Sequence, residues 1–240
     1  MRLSRLVSAP NWRYALGEIV LIVVGVSIAL AASSWYEGRQ ERRDEILVLQ
    51  QLRQTLSEDL QDMNRTWEMT RKRENNLTAL LNHLESNSPY SEELGVKFQS
   101  LLGWRIVRLT TAPFEALKQQ GYSLISNPIL GEKLISFYED HYAVLAYSSN
   151  IDRDFAIDKV QPYFFENFVM QVAASNDVDG GTQAWVPKDY EKIRADSYIA
   201  NVCRFRADIL RRFVLQQYEV ATAAIRDILE EIDRELADSG

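Results

Sequence analysis

The residue with the clearest chemical signal is Glu18, a carboxylate at the edge of an uncharged stretch that extends from Ile19 to Ala32. On a helix, mostly small residues follow Glu18 along one face at steps of four, three and four residues. The predicted helix-contact face consists of Glu18, Ile22, Gly25, Ala29 and Ser33. Small residues at this spacing let a second helix approach closely, and a carboxylate beside them favours a polar partner.

Two other roles for Glu18 stay open. The carboxylate can lie at the level of the lipid headgroups and point to water, which costs little free energy. A proton or ion path is the third interpretation, but a single membrane span supplies no second wall for such a path. Helix contact is therefore the role that we expect.

The other residues with reactive side chains lack the spacing that a site needs. His141 follows Asp140 directly, so the two side chains project in different directions on a helix, and His83 lies far away in the sequence. Residues 177–181 contain two aspartates but miss the ligand spacing of a calcium loop, which favours a tight turn. Cys203 lies among apolar residues, as a core cysteine does. Because the sequence also has no glycine-flanked serine elbow and no phosphate-binding loop, we predict no catalytic residue, no metal and no cofactor.

Aromatic residues flank the uncharged stretch, with Trp12 and Tyr14 before it and Trp35 and Tyr36 after it. A helix rises ~1.5 Å per residue, so Trp12 and Trp35 would lie roughly 34 Å apart. That distance fits two aromatic belts at the faces of a ~30 Å hydrocarbon layer. The four residues are predicted membrane-interface anchors, residues 12–36 a single transmembrane helix, and the lipid bilayer a partner.

A cleaved signal peptide is the alternative for this segment. Arg2, Arg5 and Arg13 would form its basic region, and residues 29–31 would be a small-residue cleavage site. A carboxylate before the apolar core and an unbroken helical pattern after it favour retention as an anchor. We expect the short basic tail to stay in the cytoplasm and the larger domain to be exported.

A long helix is predicted directly after the span. The chain contains neither Pro nor Gly between Arg39 and Ser88, and leucines recur there at helical spacing. This pattern predicts the seam of a coiled coil or a helical bundle. The Asn-Ser-Pro sequence at residues 87–89 should end the helix. The basic residues 71–73 lie among glutamates, so we expect them to form a solvated face.

Shorter helices are predicted in the middle of the chain and a second long helix at its end. Asn127 precedes a proline and should cap a helix. An aromatic helix is expected to continue to about Ala174, and an irregular loop to follow over residues 175–187. From about Ser197 to Leu236, apolar residues at helical spacing predict the second long helix.

The predicted fold class is therefore all-α, and the few glycines and prolines of this sequence support it. The segments are a tail over residues 1–11, the transmembrane helix over 12–36, a long coiled-coil-like helix over 37–88, a distal helical domain over 89–187 and a long antiparallel C-terminal helix over 188–240. The formal net charge of −7 opposes nucleic-acid binding, which favours a basic surface.

Residues 14–18 are Tyr-Ala-Leu-Gly-Glu, residues 35–37 are Trp-Tyr-Glu, and residues 114–121 are Phe-Glu-Ala-Leu-Lys-Gln-Gln-Gly. These segments resemble an uncharacterised family of bacterial single-span membrane proteins, a domain of unknown function. Where that family often carries asparagines before the second tryptophan, this chain has Ser33 and Ser34. The resemblance implies the architecture above and no activity. With the basic tail in the cytoplasm, we expect a location in the bacterial inner membrane with a periplasmic domain.

The functional prediction is a membrane-anchored helical scaffold or interaction protein. Such a protein either associates with itself, as a homo-oligomer, or is an accessory subunit of a larger membrane complex. The contact face beside Glu18 and the long helical seams favour this function. The alternative is a single-span sensor with a ligand pocket among the distal aromatic residues, which are Tyr138, Tyr142, Phe164, Phe165 and Phe168. A hydrolase or metalloenzyme is the third alternative.

Overall fold

The computed structural model describes residues 12–172 and 183–238. The chain divides into two compact units, one up to Leu47 and the other from Val48 onward. The first helix, α1, comprises Trp12–Glu85. Within the first unit, the described residues all belong to this helix.

The second unit is built almost entirely of helices, which confirms the predicted all-α class. After α1 come α2 (Leu94–Leu102), α3 (Ala112–Gln120), α4 (Pro128–Ser136), α5 (Tyr142–Phe155), α6 (Gln161–Asn167), α7 (Tyr190–Ala195), α8 (Ser197–Ile209) and α9 (Leu215–Ala237). A short 3₁₀ turn lies at Tyr122–Leu124, and π-helical turns join α4 to α5, α5 to α6 and α8 to α9. The second long helix of the prediction therefore consists of α8 and α9 with one wider turn between them.

Prolines and asparagines set two of the helix boundaries as the sequence predicts. Asn127 Oδ1 accepts hydrogen bonds from the backbone N–H groups of Ile129 (3.0 Å) and Leu130 (3.2 Å), which caps α4. The helix α1 ends at Glu85, and Asn87 adopts a φ of 55°. This left-handed conformation, which asparagine tolerates, turns the chain away from the helix axis.

Within the part of the chain that the structure describes, a two-stranded hairpin departs from the predicted helices. Its strands are β1 (Phe168–Val172) and β2 (Gln183–Pro187), which pair antiparallel with Met170 opposite Trp185. The prediction of an aromatic helix to about Ala174 is therefore wrong, because α6 ends at Asn167.

The irregular loop predicted over residues 175–187 is also wrong in its last part, where β2 lies. β-branched and aromatic residues in both strands favour extended backbone. The ring of Phe168 stacks on that of Phe164 with the centroids 4.2 Å apart, which holds β1 against α6. Residues 173–182, which include the candidate calcium loop, lie outside the described residues.

Within the second unit, the C-terminal helices lie antiparallel to α1. As residue numbers rise along α1, the numbers of their partners fall. The four pairs are Arg53 with Asp233, Asn64 with Arg226, Glu74 with Arg211, and Glu85 with Arg204. This order confirms that the C-terminal helices pack back along α1.

Leucines of α1 form the core between these helices. Leu49, Leu52, Leu56 and Leu77 are fully buried, as the predicted seam requires. Leu80 is fully buried as well. Each such side chain contributes roughly 1.5–3 kcal/mol through burial, so this seam is a principal source of the stability of the second unit.

Candidate functional site

The apolar stretch of α1 is exposed in this chain. Ten large apolar side chains are 51–75% exposed: Leu16, Ile19, Val20, Leu21, Ile22, Val23, Val24, Val26, Ile28 and Leu30. Among the described residues, α1 is the one helix that is long and apolar enough to cross a membrane, and none of its apolar window is buried. This part of α1 therefore presents a continuous apolar surface.

The predicted contact face lies on this exposed surface. Glu18, Ile22, Gly25, Ala29 and Ser33 are all exposed and all helical. A Cβ atom added at Gly25 would have no atom within 4 Å apart from its own backbone neighbours. The hydroxyl of Ser33 donates to Glu37 Oε1 over 3.0 Å, one helical turn further on. The structure thus brings the five residues to one face of one helix and leaves room for a second helix there.

Three of the predicted interface anchors are exposed, as anchors must be. Trp12, Trp35 and Tyr36 lie on the surface of α1, and the side chain of Tyr14 is outside the described residues. The guanidinium carbon of Arg39 lies 4.7 Å from the ring centroid of Trp35. Both residues are exposed, so this cation–π contact lies on the surface of α1.

Sequence reasoning missed a buried group of charged residues in the second unit, the Arg-Asp-Arg cluster of Arg73 (α1), Asp152 (α5) and Arg206 (α8). Arg206 Nη2 donates to Asp152 Oδ1 over 2.7 Å, and Arg73 Nη2 donates to Asp152 Oδ2 over 2.5 Å. Both guanidinium groups also donate to the carbonyl of Gly103, and Arg206 donates to that of Leu101. Because the last carbonyls of a helix lack partners within it, the cluster also caps the C-terminus of α2.

The cluster holds more positive than negative charge. Arg206 is 0% exposed, Asp152 is 2% exposed and Arg73 is 9% exposed. Burial lowers the pKa of Arg73 to about 10, against the opposing effect of the Asp152 carboxylate, so the guanidinium stays protonated at neutral pH. The Nε atom of Arg73 is buried and has no partner among the described residues. One positive charge is therefore left without a carboxylate inside the cluster.

The prediction that basic residues 71–73 form a solvated face is wrong for Arg73, although Lys72 is exposed. The neighbouring Glu74 is also buried, and it accepts from Arg211 Nη2 over 2.6 Å. In a sequence, opposite charges at neighbouring positions suggest that these side chains pair with each other. In the fold, Arg73 pairs with Asp152 of α5. Glu74 pairs with Arg211 in the turn before α9 as well as with its neighbour Arg71.

Asp59 is another buried carboxylate of α1. Asp59 accepts hydrogen bonds from the backbone N–H and the hydroxyl of Thr110. Burial raises the pKa of Asp59 above its ordinary value, and the hydrogen bonds to Thr110 oppose this rise. The phenol of Tyr138 is buried without a described partner, and burial and the charge of Asp59 both raise its pKa. Asp59 thus fixes the end of the extended segment 103–111 onto α1.

Cysteine and histidine are residue types that enzymes often use for catalysis. In this chain, the fold holds both Cys203 and His83 in structural contacts. Burial raises the pKa of the Cys203 thiol to about 12, so the thiol is unreactive in the folded chain. His83 Nε2 lies 3.0 Å from the carbonyl oxygen of Pro89. Within residues 12–172 and 183–238, no group of three or more His, Cys, Asp or Glu side chains could hold a metal ion.

The distal aromatic residues pack mainly on each other. Phe164, Phe168 and Tyr138 are buried, and the ring of Tyr138 stacks on Phe114 with the centroids 4.3 Å apart. Phe165 is exposed and lies edge-on to Trp185 beside a cavity of about 270 Å³. Most of these rings therefore serve the core of the second unit.

A family model described as a family of unknown function (DUF6090) matches residues 18–181. No curated protein and no solved structure matches the chain. The match begins at Glu18 and includes Arg73 and Asp152, whereas Arg206 lies beyond it. It confirms that the chain resembles an uncharacterised family.

Proposed function

Because this chain belongs to DUF6090, a family of unknown function, we propose its function from its own residues: it is a single-span, membrane-anchored helical scaffold. The observation that carries this proposal is the exposure of the whole apolar stretch of α1. In a bacterial cell the anchor would lie in the inner membrane, with the second unit on the periplasmic side.

The free energy of covering the apolar stretch supports the anchor. Ten large apolar side chains between Leu16 and Leu30 are more than half exposed. Removing a half-exposed side chain of this kind from water contributes about 1–1.5 kcal/mol of free energy. Ten of them together contribute on the order of 10 kcal/mol. A stretch of about 20 apolar residues also matches the length that a helix needs to cross a bilayer.

The proposed scaffold associates through the contact face of the span. Gly25 leaves open space beside Ile22 and Ala29, and close helix approach gains van der Waals contacts that lipid chains do not supply. Glu18 lies at the end of this face, where a polar group of a second helix would satisfy its carboxylate. The partner is a second copy of this chain or a span of a larger membrane complex.

The test compares two substitutions in the same helix. Gly25→Ile fills the open space on the contact face, whereas Ala31→Ile adds a similar side chain on the opposite face. The detergent-solubilised full chain is sized by analytical ultracentrifugation, and its co-purifying proteins are identified. We expect Gly25→Ile to reduce the mass of the complex and Ala31→Ile to leave it unchanged. Unchanged mass and unchanged partners in both variants would contradict the proposed contact face.

The surroundings of the reactive side chains support a non-catalytic role. The Cys203 thiol is buried, and both Glu74 and Asp152 are engaged by arginines. A structural ion cluster fixes the relative positions of helices, which is what a scaffold requires.

The proposed topology in the membrane rests on the three basic residues of the N-terminal tail, Arg2, Arg5 and Arg13. Basic residues favour the cytoplasmic side of a span, so this tail would lie in the cytoplasm.

A further inference from the structure

A groove between α1, α2 and the extended segment 103–111 has the composition of an anion site. Its cavity measures about 440 Å³, within the usual range for small-ligand sites. Lys72, Arg73 and Asn76 line it from α1, Ser100 from α2, and Trp104 and Arg105 from the segment that follows α2. We name it the Arg105 groove.

The charges along the Arg105 groove all have one sign. Lys72, Arg73 and Arg105 line it, and no carboxylate does. Among the residues that the structure describes, neither Lys72 nor Arg105 forms an ion pair. In a chain with a net charge of −7, a groove lined by three cations stands out, although Arg73 also pairs with the buried Asp152. A cleft lined by one sign of charge concentrates ions of the opposite sign.

The buried side of the groove supplies a second, independent observation. Arg73 is nine-tenths buried, it lines the groove, and its Nε has no partner among the described atoms. The Arg-Asp-Arg cluster behind it holds two guanidinium groups and one carboxylate. Both guanidinium groups pair with Asp152, but two positive charges and one negative charge leave a net positive charge beside the groove, which favours an anion there.

Part of the lining is apolar. Trp104 is half-buried, and Val96 and Met69 present exposed side chains to the same cavity. A tryptophan face and two flexible apolar groups suit a flat organic body rather than a bare inorganic ion. Asn76 Nδ2 donates to Ser100 Oγ over 2.9 Å, and the two side chains offer neutral polar contacts at the rim.

We propose that the Arg105 groove binds an organic anion, a phosphate or carboxylate that carries a flat apolar group. The charged end contacts Arg105 and Lys72 beside the Arg-Asp-Arg cluster, and the apolar group lies against Trp104. Arginine is well suited to this role because its planar guanidinium group donates to two oxygens at once.

The test is isothermal titration of the full chain in phosphatidylcholine nanodiscs with phenyl phosphate, inorganic phosphate and neutral benzyl alcohol. We expect phenyl phosphate to bind more tightly than either of the other two. Arg105→Ala and Lys72→Ala should each weaken it about tenfold, as the loss of a charged hydrogen bond does. Lys192→Ala, which removes an exposed lysine outside the groove, should change nothing.

Two results would overturn the proposal. One is no binding of phenyl phosphate up to millimolar concentration; the other is an equal loss in Lys192→Ala and Arg105→Ala. Unchanged melting temperatures of the variants show that they fold, since Arg105 and Lys72 are exposed. A second titration, in nanodiscs that contain phosphatidate, separates two sources of the anion. If phosphatidate lowers the apparent affinity for phenyl phosphate, and does so in the natural chain but not in Arg105→Ala, the site binds a lipid headgroup. If the affinity for phenyl phosphate is unchanged, the site binds a soluble anion.

Discussion

Replacing Asp152 by asparagine should destabilise the second unit more than any surface substitution. The carboxylate accepts hydrogen bonds from Arg73 and Arg206, and it is the one negative group of the Arg-Asp-Arg cluster. An asparagine of the same shape keeps one acceptor oxygen and turns an N–H group toward the other guanidinium. Two buried cations would then share a neutral partner.

The magnitude follows from the burial of the cluster. Removing one partner of a buried ion pair costs roughly 3–5 kcal/mol, because it leaves a buried charge uncompensated. In a domain of this size each kcal/mol lowers the melting temperature by about 2–4 °C. Because the cluster is only 0–9% exposed, Asp152→Asn should lower the melting temperature by roughly 6–20 °C.

The assay is thermal unfolding of the full chain in one detergent, followed by near-ultraviolet circular dichroism. Asp154→Asn is the matched control on the same helix, because Asp154 is 58% exposed and pairs with its neighbour Arg153. Exposed pairs contribute about 0–1 kcal/mol, so the control should shift the melting temperature by less than about 4 °C. If Asp152→Asn shifts it no more than Asp154→Asn does, the cluster does not support the fold as argued.

Three further predictions concern other parts of the second unit. Asn127→Ala removes the cap of α4 and should cost about 1–2 kcal/mol in the same thermal assay; an unchanged melting temperature would mean that α4 needs no cap. Burial raises the pKa of Asp59 above 3.8 in the folded chain. The protonated carboxyl therefore favours the folded state at low pH, and this contribution to the free energy of unfolding is lost as the pH rises through the raised pKa. Asp59→Asn should therefore show a smaller drop in melting temperature between about pH 4 and about pH 7 than the natural chain, and an equal drop would refute this. With a pKa of about 12 for its thiol, Cys203 should resist maleimide at about pH 8 until the chain is denatured, as mass spectrometry would show; rapid labelling of the folded chain would contradict its burial.

The helices could be predicted because their signals are local. Asn127 next to a proline begins α4, and Asn87 lies just after the end of α1. The spacing of the leucines identified the buried side of α1, because this spacing belongs to one helix and requires no knowledge of the helices that pack on it. The apolar stretch from Ile19 to Ala32 was equally visible, since hydrophobic patterning requires no knowledge of partners.

The Arg-Asp-Arg cluster could not be predicted, because its members are far apart in the sequence and meet only in the folded chain. A partial signal existed: Arg206 occupies the helical spacing of the buried Val202 and Ile209. An arginine at a core position of a seam indicates a buried ion pair, but it does not say which carboxylate completes it. The strands β1 and β2 were missed for a similar reason, since aromatic residues near Phe168 suit a buried helix or a strand equally well.

The most direct test of the proposed membrane anchor is alkaline carbonate extraction of membranes from bacteria that express the full chain. A helix that crosses the bilayer resists this wash, whereas a peripheral protein is released. We expect the chain to remain in the membrane pellet with its full mass, residues 1–31 included. Release into the supernatant, or a mass that lacks those residues, would contradict the account that α1 anchors this scaffold in the membrane.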